Sequence, residues 1–393
     1  MTHYNYLIVG GGMTADAAVR GIRDVDPHGS IGLFSTEPDP PYKRPLLSKG
    51  LWKGKPLEQV WCQSETLGVN LNLAKGIRRI EPRHKRVRDE RGEEHSYGKL
   101  LLATGGSPRR LGFSDKNVIY FRTVRDYQRL RNLCENGKKF AVIGGGFIGS
   151  EIAAALAMNG KEVVMIFPES GIGARVFPKE LSQYLARYFR EKGVELLAGE
   201  SVEGIFEEGP KPIVKLKGKG DLPVDGVVAG IGIRLNVDLA QAAGLEIREG
   251  AIVVDERLQT SAPDVYSAGD VALFHNPALD TFLHVEHEDN AVTMGEMAGR
   301  SMAGQDVRYH HLPYFYSDLF DAGYEAVGEL DPQADLVMDW SELFQKGVIY
   351  YLKEMRVRGV LTWNTYGLVE QARLLIAEPG PYRSADLINR LTA

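Results

Sequence analysis

With 393 residues, 44% of them hydrophobic and 25% charged, the chain has the length for two or three domains and the composition of an ordinary globular protein. A net charge of −5 offers nothing to a nucleic acid, so no nucleic-acid partner is expected. The opening residues, MTHYNY, run straight into an apolar strand and no apolar run reaches membrane-span length, so no membrane span and a cytoplasmic, reducing location are expected.

The cysteines exclude one class of chemistry. There are two, Cys62 and Cys134, far apart and outside any C-x-x-C or C-x4-C pair. A disulfide reductase needs a closely spaced redox pair, so that activity is not expected here. Both thiols read as buried or idle, and no metal site is expected.

Residues 6–9 read as a strand, followed by a glycine turn in which Gly10, Gly12 and Ala15 keep G-x-G-x-x-A spacing. Residues 14–22 read as a helix, 30–34 as the next strand, and Glu37 as the acid beyond it. In this pattern the first glycine permits the tight turn and the second lets a pyrophosphate approach the backbone. The third small residue lets helix pack on strand. The helix N-terminus adds free N–H groups and a positive dipole end.

Residues 38–52, PDPPYKRPLLSKGLW, carry prolines that prevent a regular helix at the start and place Arg44 and Lys49 shortly after the first unit. Residues 70–74, 76–80 and 85–89 read as short strands of a meander. Arg78, Arg79, Arg83, Lys85, Arg86 and Arg88 make this region basic, either as a solvated hairpin face or as a docking patch for an acidic electron carrier. Residues 100–108, LLLATGGSP, form a strand ending in Ala-Thr-Gly-Gly.

After a loop and helix over 121–134, the pattern returns in full as FAVIGGGFIGSEIAAALAMNGKEVVMIFPE, residues 140–169. A strand at 140–143 leads to Gly144, Gly146 and Gly149 in G-x-G-x-x-G spacing. A helix at 151–158, a strand at 162–167 and Glu169, placed to accept from an adenosine ribose, complete it. A helix at 179–192 and strands at 195–197, 201–207, 213–217 and 226–229 follow, with Gly232 after the last. Near Leu239 the chain returns to the first domain, with a strand at 252–254 and the run DVYSAGD ending in Gly269 and Asp270. Residues 285–303, VEHEDNAVTMGEMAGRSMA, read as a helix with small residues on one face and Glu286 and His287 at its start. From His310 onward, strands at 314–317, 324–328, 347–352 and 356–363 and a helix at 368–377 read as a small α+β domain. Two dinucleotide sites in one chain are the plan of a flavoprotein reduced by a nicotinamide cofactor.

The spacing PY-x-RP-x-LSK at residues 41–49 resembles the signature of the oxygenase-coupled ferredoxin reductases and of apoptosis-inducing factor. VEH-x-D-x-AV, FYSDLFDAGYEAVG and GVIYYLKEMRVRGVLTWN resemble apoptosis-inducing factor in particular. The resemblance covers nearly the whole chain. It implies an α/β, glutathione-reductase-like fold with two Rossmann-like dinucleotide-binding domains: FAD-binding over 1–108 and 233–309, NAD-binding over 109–232. The small C-terminal α+β domain spans 310–393.

The resemblance further implies FAD held by Gly10, Gly11, Gly12, Met13, Thr14, Ala15, Glu37, Arg44, Lys49, Ala103, Thr104, Gly105, Arg109, Gly269, Asp270 and His287. Ile77, or its neighbour, would give a backbone contact to the adenine end. NAD would be held by Gly144, Gly146, Phe147, Ile148, Gly149, Glu151, Glu169, Arg175, Gly232, Glu286 and Glu325. Lys49, Glu151, His287 and Tyr316 would form the reacting site. Lys49 would favour the reduced flavin and Glu151 would neutralise Lys49 or shape the nicotinamide pocket. His287 and Tyr316 would wall the site, with Phe315 behind; plain core packing is the alternative for Tyr316, which stands where Trp is common. Glu169 implies a preference for NADH over NADPH. Two onward roles follow: electron delivery to an iron–sulfur acceptor such as ferredoxin or rubredoxin, or slow NADH binding by a redox-sensing module whose homodimer state changes.

Overall fold

The computed structural model describes residues 1–113, 116–208, 211–218 and 220–392. They fall into two compact units. The first comprises Met1–Arg44, Leu57–Ser107 and Arg234–Tyr314; the second comprises Pro45–Pro56, Pro108–Ile233 and Phe315–Ala393.

The first unit is built on a parallel sheet in the order Val69–Asn72, Ile31–Phe34, Thr2–Val9, Glu94–Leu102, with Val265–Ser267 pairing the last of these. Ile31–Phe34, Val265–Ser267 and the segments 6–9 and 100–102 that pair with them are largely apolar and buried, as parallel strands covered on both faces must be. The segment expected to open a meander is a fourth parallel strand instead, in register Ile31↔Val69. Its half-buried residues carry too weak an alternation to reveal their partner. Ile77–Glu81 and Arg86–Asp89 do form an antiparallel arm, on the far side of Glu94–Leu102.

Helix Met13–Val25 packs on helix Glu288–Met302 with backbones nearly touching. A Cβ on Gly21 would stand 2.0 Å from the Glu296 carbonyl oxygen, and one on Gly299 would stand 2.1 Å from that of Ala18. The small-residue face therefore allows this crossing. The second of these helices begins at Glu288, three residues later than expected, because His287 is still extended as its N-cap (φ −127°, ψ 155°).

The second unit repeats the plan. Its parallel sheet runs Val194–Ala198, Glu162–Phe167, Lys139–Ile143, Gly226–Ala229, Val118–Tyr120. The alanine-rich helix Phe147–Met158 covers it. That helix starts four residues before the expected 151 and takes Gly149 into its first turn. A three-stranded antiparallel sheet, Val202–Glu208, Lys211–Leu216 and Leu222–Pro223, completes this part.

The same unit contains a five-stranded antiparallel sheet in the order Tyr314–Leu319, Ala322–Gly328, Arg356–Trp363, Lys346–Lys353, Asp335–Glu342, with helix Val369–Ala377 on it. Asp335–Glu342 lies between the expected strands at 324–328 and 347–352, where the sequence marks none. It is an edge strand whose pattern is mostly half-buried or exposed, so no strict alternation marks it.

One buried-facing carboxylate anchors the central strand of the second unit. Asp225 accepts hydrogen bonds from the backbone N–H groups of Lys138 (2.7 Å) and Lys139 (2.9 Å) and pairs with Lys211 at 2.7 Å. The Lys211 hydrogen bond and those two N–H groups pull its pKa down to about 2. A depressed carboxylate stabilises the fold above its unfolded pKa, near 3.8, and that contribution fades as pH falls through about 2. Asp225→Asn is expected to destabilise the protein by about 2 kcal/mol at neutral pH. The gap to wild type should narrow between about pH 4 and pH 2, measured by denaturant titration across that range.

Candidate active site

In the first unit the chain turns sharply at Gly10 (φ +133°), where a Cβ would lie 2.0 Å from the Ala103 carbonyl oxygen. Gly11 is equally constrained, since its Cβ would meet Ser35 Oγ at 2.3 Å. Gly12 is different: a Cβ there meets nothing within 4 Å. The space in front of it is open, and as N-cap of Met13–Val25 it supplies no side-chain cap. Of the first-turn N–H groups, that of Ala15 donates to the Gly12 carbonyl at 3.1 Å, and those of Met13 and Thr14 are left to an external acceptor, as an anion cradle requires. Thr14 and the fully buried Ala15 continue the turn. Gly269 (φ +79°) comes so close that its Cβ would stand 2.3 Å from Thr14 Oγ1, and Asp270 follows it.

Glu37 and Arg44 meet here in an ion pair, and the Tyr42 hydroxyl donates to Glu37 Oε2 at 2.6 Å. Burial works against the Arg44 cation, but the charge of Glu37 and, more weakly, that of Asp270 raise its pKa. Thr104 is tied to Asn236 in both directions: its hydroxyl donates to the Asn236 carbonyl (2.8 Å) and its carbonyl accepts from Asn236 Nδ2 (2.9 Å). The Gly105 carbonyl accepts from Asn236 N at 2.9 Å. Ile77 opens its strand, buried. Glu286 is exposed, 3.8 Å from His284, and His287 is half-buried at the helix entry.

The second unit holds a parallel arrangement. Gly144 (φ +114°) would place a Cβ 2.3 Å from the Gly230 carbonyl oxygen, and Gly149 would place one 2.0 Å from that of Gly144. Gly146, the N-cap, again faces open space and provides no side-chain cap, with Phe147 and Ile148 in the first turn beyond it. Glu169 follows strand Glu162–Phe167 and pairs with the exposed Arg175 at 2.6 Å. Arg109 joins this unit, its N–H donating to the Gly232 carbonyl at 2.9 Å and its Nε to that of Ile233 at 2.9 Å. The Glu325 carboxylate accepts from Gly367 N at 3.1 Å.

Within the same unit Lys49, Glu151 and Tyr316 come together. Lys49 Nζ lies 2.8 Å from Glu151 Oε1, with side chains 12% and 3% exposed, and 5.1 Å from the centre of the Tyr316 ring. Phe147 and Phe315 pack 5.3 Å apart. Sequence reasoning missed two hydroxyls here: Ser48 Oγ donates to Glu151 Oε2 and Ser317 Oγ to Glu151 Oε1, each at 2.6 Å. Each is the chain neighbour of a predicted residue, Ser48 of Lys49 and Ser317 of Tyr316, and that adjacency was the available signal.

Burial raises the Cys62 thiol to about 12 and also raises that of Cys134, so neither is an activated nucleophile. The basic arm is largely self-neutralised. Arg79 pairs with Glu81, Arg88 and Arg86 with Glu94, Arg78 with Glu90 and Lys85 with Asp264. Asp89, Glu93 and His95 cluster closely enough to suit a cation, but the Lys75 ammonium stands among them, 2.9 Å from Asp89 and 2.6 Å from Glu93.

Two family models match the chain. One, described as pyridine nucleotide-disulphide oxidoreductase, covers residues 4–295; the other, described as apoptosis-inducing factor, mitochondrion-associated, C-term, covers residues 337–378. Among curated relatives, apoptosis-inducing factor 1, mitochondrial, of Dictyostelium discoideum is 33% identical over 99% of this chain and 80% of its own length. The ferredoxin–NAD(+) reductase component of the anthranilate 1,2-dioxygenase system of Burkholderia cepacia is 33% identical over 82% of this chain and 81% of its own. Among solved structures, the covalent putidaredoxin reductase–putidaredoxin complex matches with TM-score 0.89 and 28% identity, covering 96% of this chain and 94% of that one.

Because a Cβ at position 12 meets nothing within 4 Å, Gly12→Val is expected to fold. It should nonetheless lose bound flavin, read as the visible absorbance per mole of purified protein. A folded Gly12→Val protein with full flavin content would contradict the cradle.

Proposed function

The chain belongs to the pyridine nucleotide-disulphide oxidoreductase family, and from that premise we propose how its residues divide the work. It is an NAD(P)H-dependent FAD oxidoreductase of the ferredoxin reductase type, with a glutathione-reductase-like fold. One observation carries the division: at Gly12 and Gly146 a glycine that packs against nothing caps an unprotected helix N-terminus. Internal packing does not account for glycine there, and two pyrophosphates do.

FAD is assigned to the first cradle, with Glu37 toward the adenosine ribose, Arg44 as the buried cation beside it, and Asp270 beyond the Gly269 turn. Met13, Thr14, Ala15, Ala103, Thr104, Gly105, Ile77 and Arg109 complete this assignment. The nicotinamide dinucleotide is assigned to the second, with Glu169 on its ribose, Phe147, Ile148 and Gly232 along it, and Glu286 and Glu325 as further contacts. When bound, FAD accepts a hydride from the nicotinamide and passes electrons onward. No side chain need take or give a proton in that transfer, and none is assigned that role. Lys49 places a positive charge that favours reduced flavin, Glu151 fixes it, and His287 and Tyr316 exclude water from the reacting face.

The onward acceptor is proposed to be a small iron–sulfur protein, a ferredoxin or rubredoxin. The support is the printed function of the Burkholderia relative and the partner in the putidaredoxin reductase complex. The paired charges of the basic arm remove that surface as an argument for an acidic partner. The match of residues 337–378 to the apoptosis-inducing factor C-terminal model favours a second reading, a slow NADH-binding module acting by redox-dependent association as a homodimer. Anaerobic reduction with NADH, followed by mixing with ferredoxin, ferricyanide or oxygen, separates them. Fast reoxidation by ferredoxin supports electron delivery; a coloured NADH complex that persists in air supports the module and contradicts it.

Three substitutions test the residue roles. Lys49→Ala should lower the flavin potential and slow reduction by NADH. Glu151 offsets part of the lysine charge at 2.8 Å, so an effect on the order of 1–2 kcal/mol, roughly 5- to 30-fold, is expected. An unchanged potential would make Lys49 a structural cation.

Glu169 should favour NADH, because the 2′-phosphate of NADPH would face its carboxylate. Arg175, 2.6 Å away, neutralises part of that charge and holds the preference to about tenfold in kcat/KM. Arg175→Ala should widen it, and Glu169→Ala should free Arg175 for the phosphate and favour NADPH. Steady-state ferricyanide reduction with both nucleotides reads the result; equal kcat/KM in wild type would show that Glu169 does not read the ribose.

A further inference from the structure

Glu151 is a carboxylate 3% exposed, in a place where an isolated charge would cost several kcal/mol. Lys49 is a single partner on a flexible stem and a point charge without directional preference. Left to Lys49 alone, the carboxylate plane could swing and carry the ammonium with it. It is not left so. Ser317 Oγ donates to Oε1, the oxygen that Lys49 uses, and Ser48 Oγ donates to Oε2, each at 2.6 Å. With a short donor on each oxygen the plane of the carboxylate is fixed, and the ammonium is held against a rigid partner.

The two hydroxyls arrive from separate elements. Ser48 ends the short helix Pro45–Ser48, one residue before Lys49. Ser317 lies in strand Tyr314–Leu319, where successive side chains alternate faces. Ser317 therefore points into the unit, buried, while Tyr316 turns its 36% exposed ring under Lys49. Near Ser317 stands the buried Tyr324. Burial first, and then the charge of Glu151, push the Tyr324 pKa well above its usual value, so its hydroxyl stays protonated. Its ring is locked in turn, 6.1 Å from Trp363 in a parallel stack and 5.2 Å edge-on from Phe177.

We propose that Ser48 and Ser317 are positioning residues that clamp Glu151 and thereby fix the Lys49 ammonium. The inference rests on the role assigned above to Lys49. It makes the C-terminal sheet a direct contributor to flavin tuning through three linked side chains, Ser317, Glu151 and Lys49. It also explains a hydroxyl at position 317 between an exposed aromatic and a half-buried acid.

The test uses holoenzyme variants Ser317→Ala, Ser48→Ala, Lys49→Ala and Lys49→Ala/Ser317→Ala. Each is measured for flavin content, flavin reduction potential, and the limiting rate and apparent Kd of reduction by NADH. Ser317→Ala should slow the limiting rate about 3- to 10-fold, the loss of one hydrogen bond to a charged group. It should leave the apparent Kd unchanged and lower the potential in the same direction as Lys49→Ala. On the Lys49→Ala background Ser317→Ala should add no further change, because both act through the one ammonium.

A Ser317→Ala protein with wild-type potential and rate, beside a Lys49→Ala protein with both altered, overturns the clamp and leaves the Lys49 role standing. Full additivity in the double variant also overturns it. Lys49→Ala with no effect overturns the Lys49 role and the clamp together. Should Ser317→Ala fail to fold, Ser48→Ala removes the hydroxyl from the other oxygen and carries the same expectations and the same refutation.

Discussion

Both halves of this molecule depend on backbone approaching backbone at distances that only glycine tolerates. Gly149 brings the first turn of its helix onto Gly144 so closely that a single methyl group would stand 2.0 Å from a carbonyl oxygen. Gly10 does the same against Ala103. From that approach the rest follows in order. The helix lies flat on the strand it follows, its N-terminus opens at the sheet's carboxyl edge, and the unprotected N–H groups of its first turn become a site for an anion. The acid beyond the next strand is placed by the same geometry, because strand and helix lengths leave it few positions.

The second constraint is electrostatic. A buried lysine–glutamate pair is weak evidence for stability, since the desolvation of two charges can exceed their attraction. The pair Lys49–Glu151 is surrounded by the donors such a pair needs, and they come from a short helix and from the C-terminal sheet. A cation held at low exposure by a fixed carboxylate is a poor way to stabilise a fold and a good way to keep one positive charge in one place. That reasoning ties the antiparallel sheet, which carries neither glycine cradle, to the chemistry.

Both Rossmann units were legible in the sequence because their signal is redundant. Strand, glycine spacing, helix, second strand and acid all had to agree, and they did at Gly10–Ala15 and at Gly144–Gly149. The boundaries were less legible. Gly149 reads as a turn residue, yet it lies within a helix, because the glycine there serves packing rather than conformation. Strand Asp335–Glu342 stayed hidden because an edge strand with mixed burial has no clean alternation. The partners of charges were invisible for a related reason. Arg79, Arg88 and Lys85 read as a basic surface until tertiary structure set Glu81, Glu94 and Asp264 beside them. Ser48 and Ser317 were missed because a serine has no periodicity and declares itself only through its neighbours.

The central claim is that the two glycine cradles serve two different dinucleotides, and the second cradle tests it most directly. A side chain on Gly146 meets no protein atom within 4 Å, so a Gly146→Val protein should fold and should purify yellow. Anaerobic titration of its visible spectrum is the measurement. The account predicts that dithionite bleaches the flavin as in wild type while NADH, at concentrations that fully reduce wild type, does not. A Gly146→Val protein that loses its flavin, or that NADH reduces with unchanged affinity, would contradict the account.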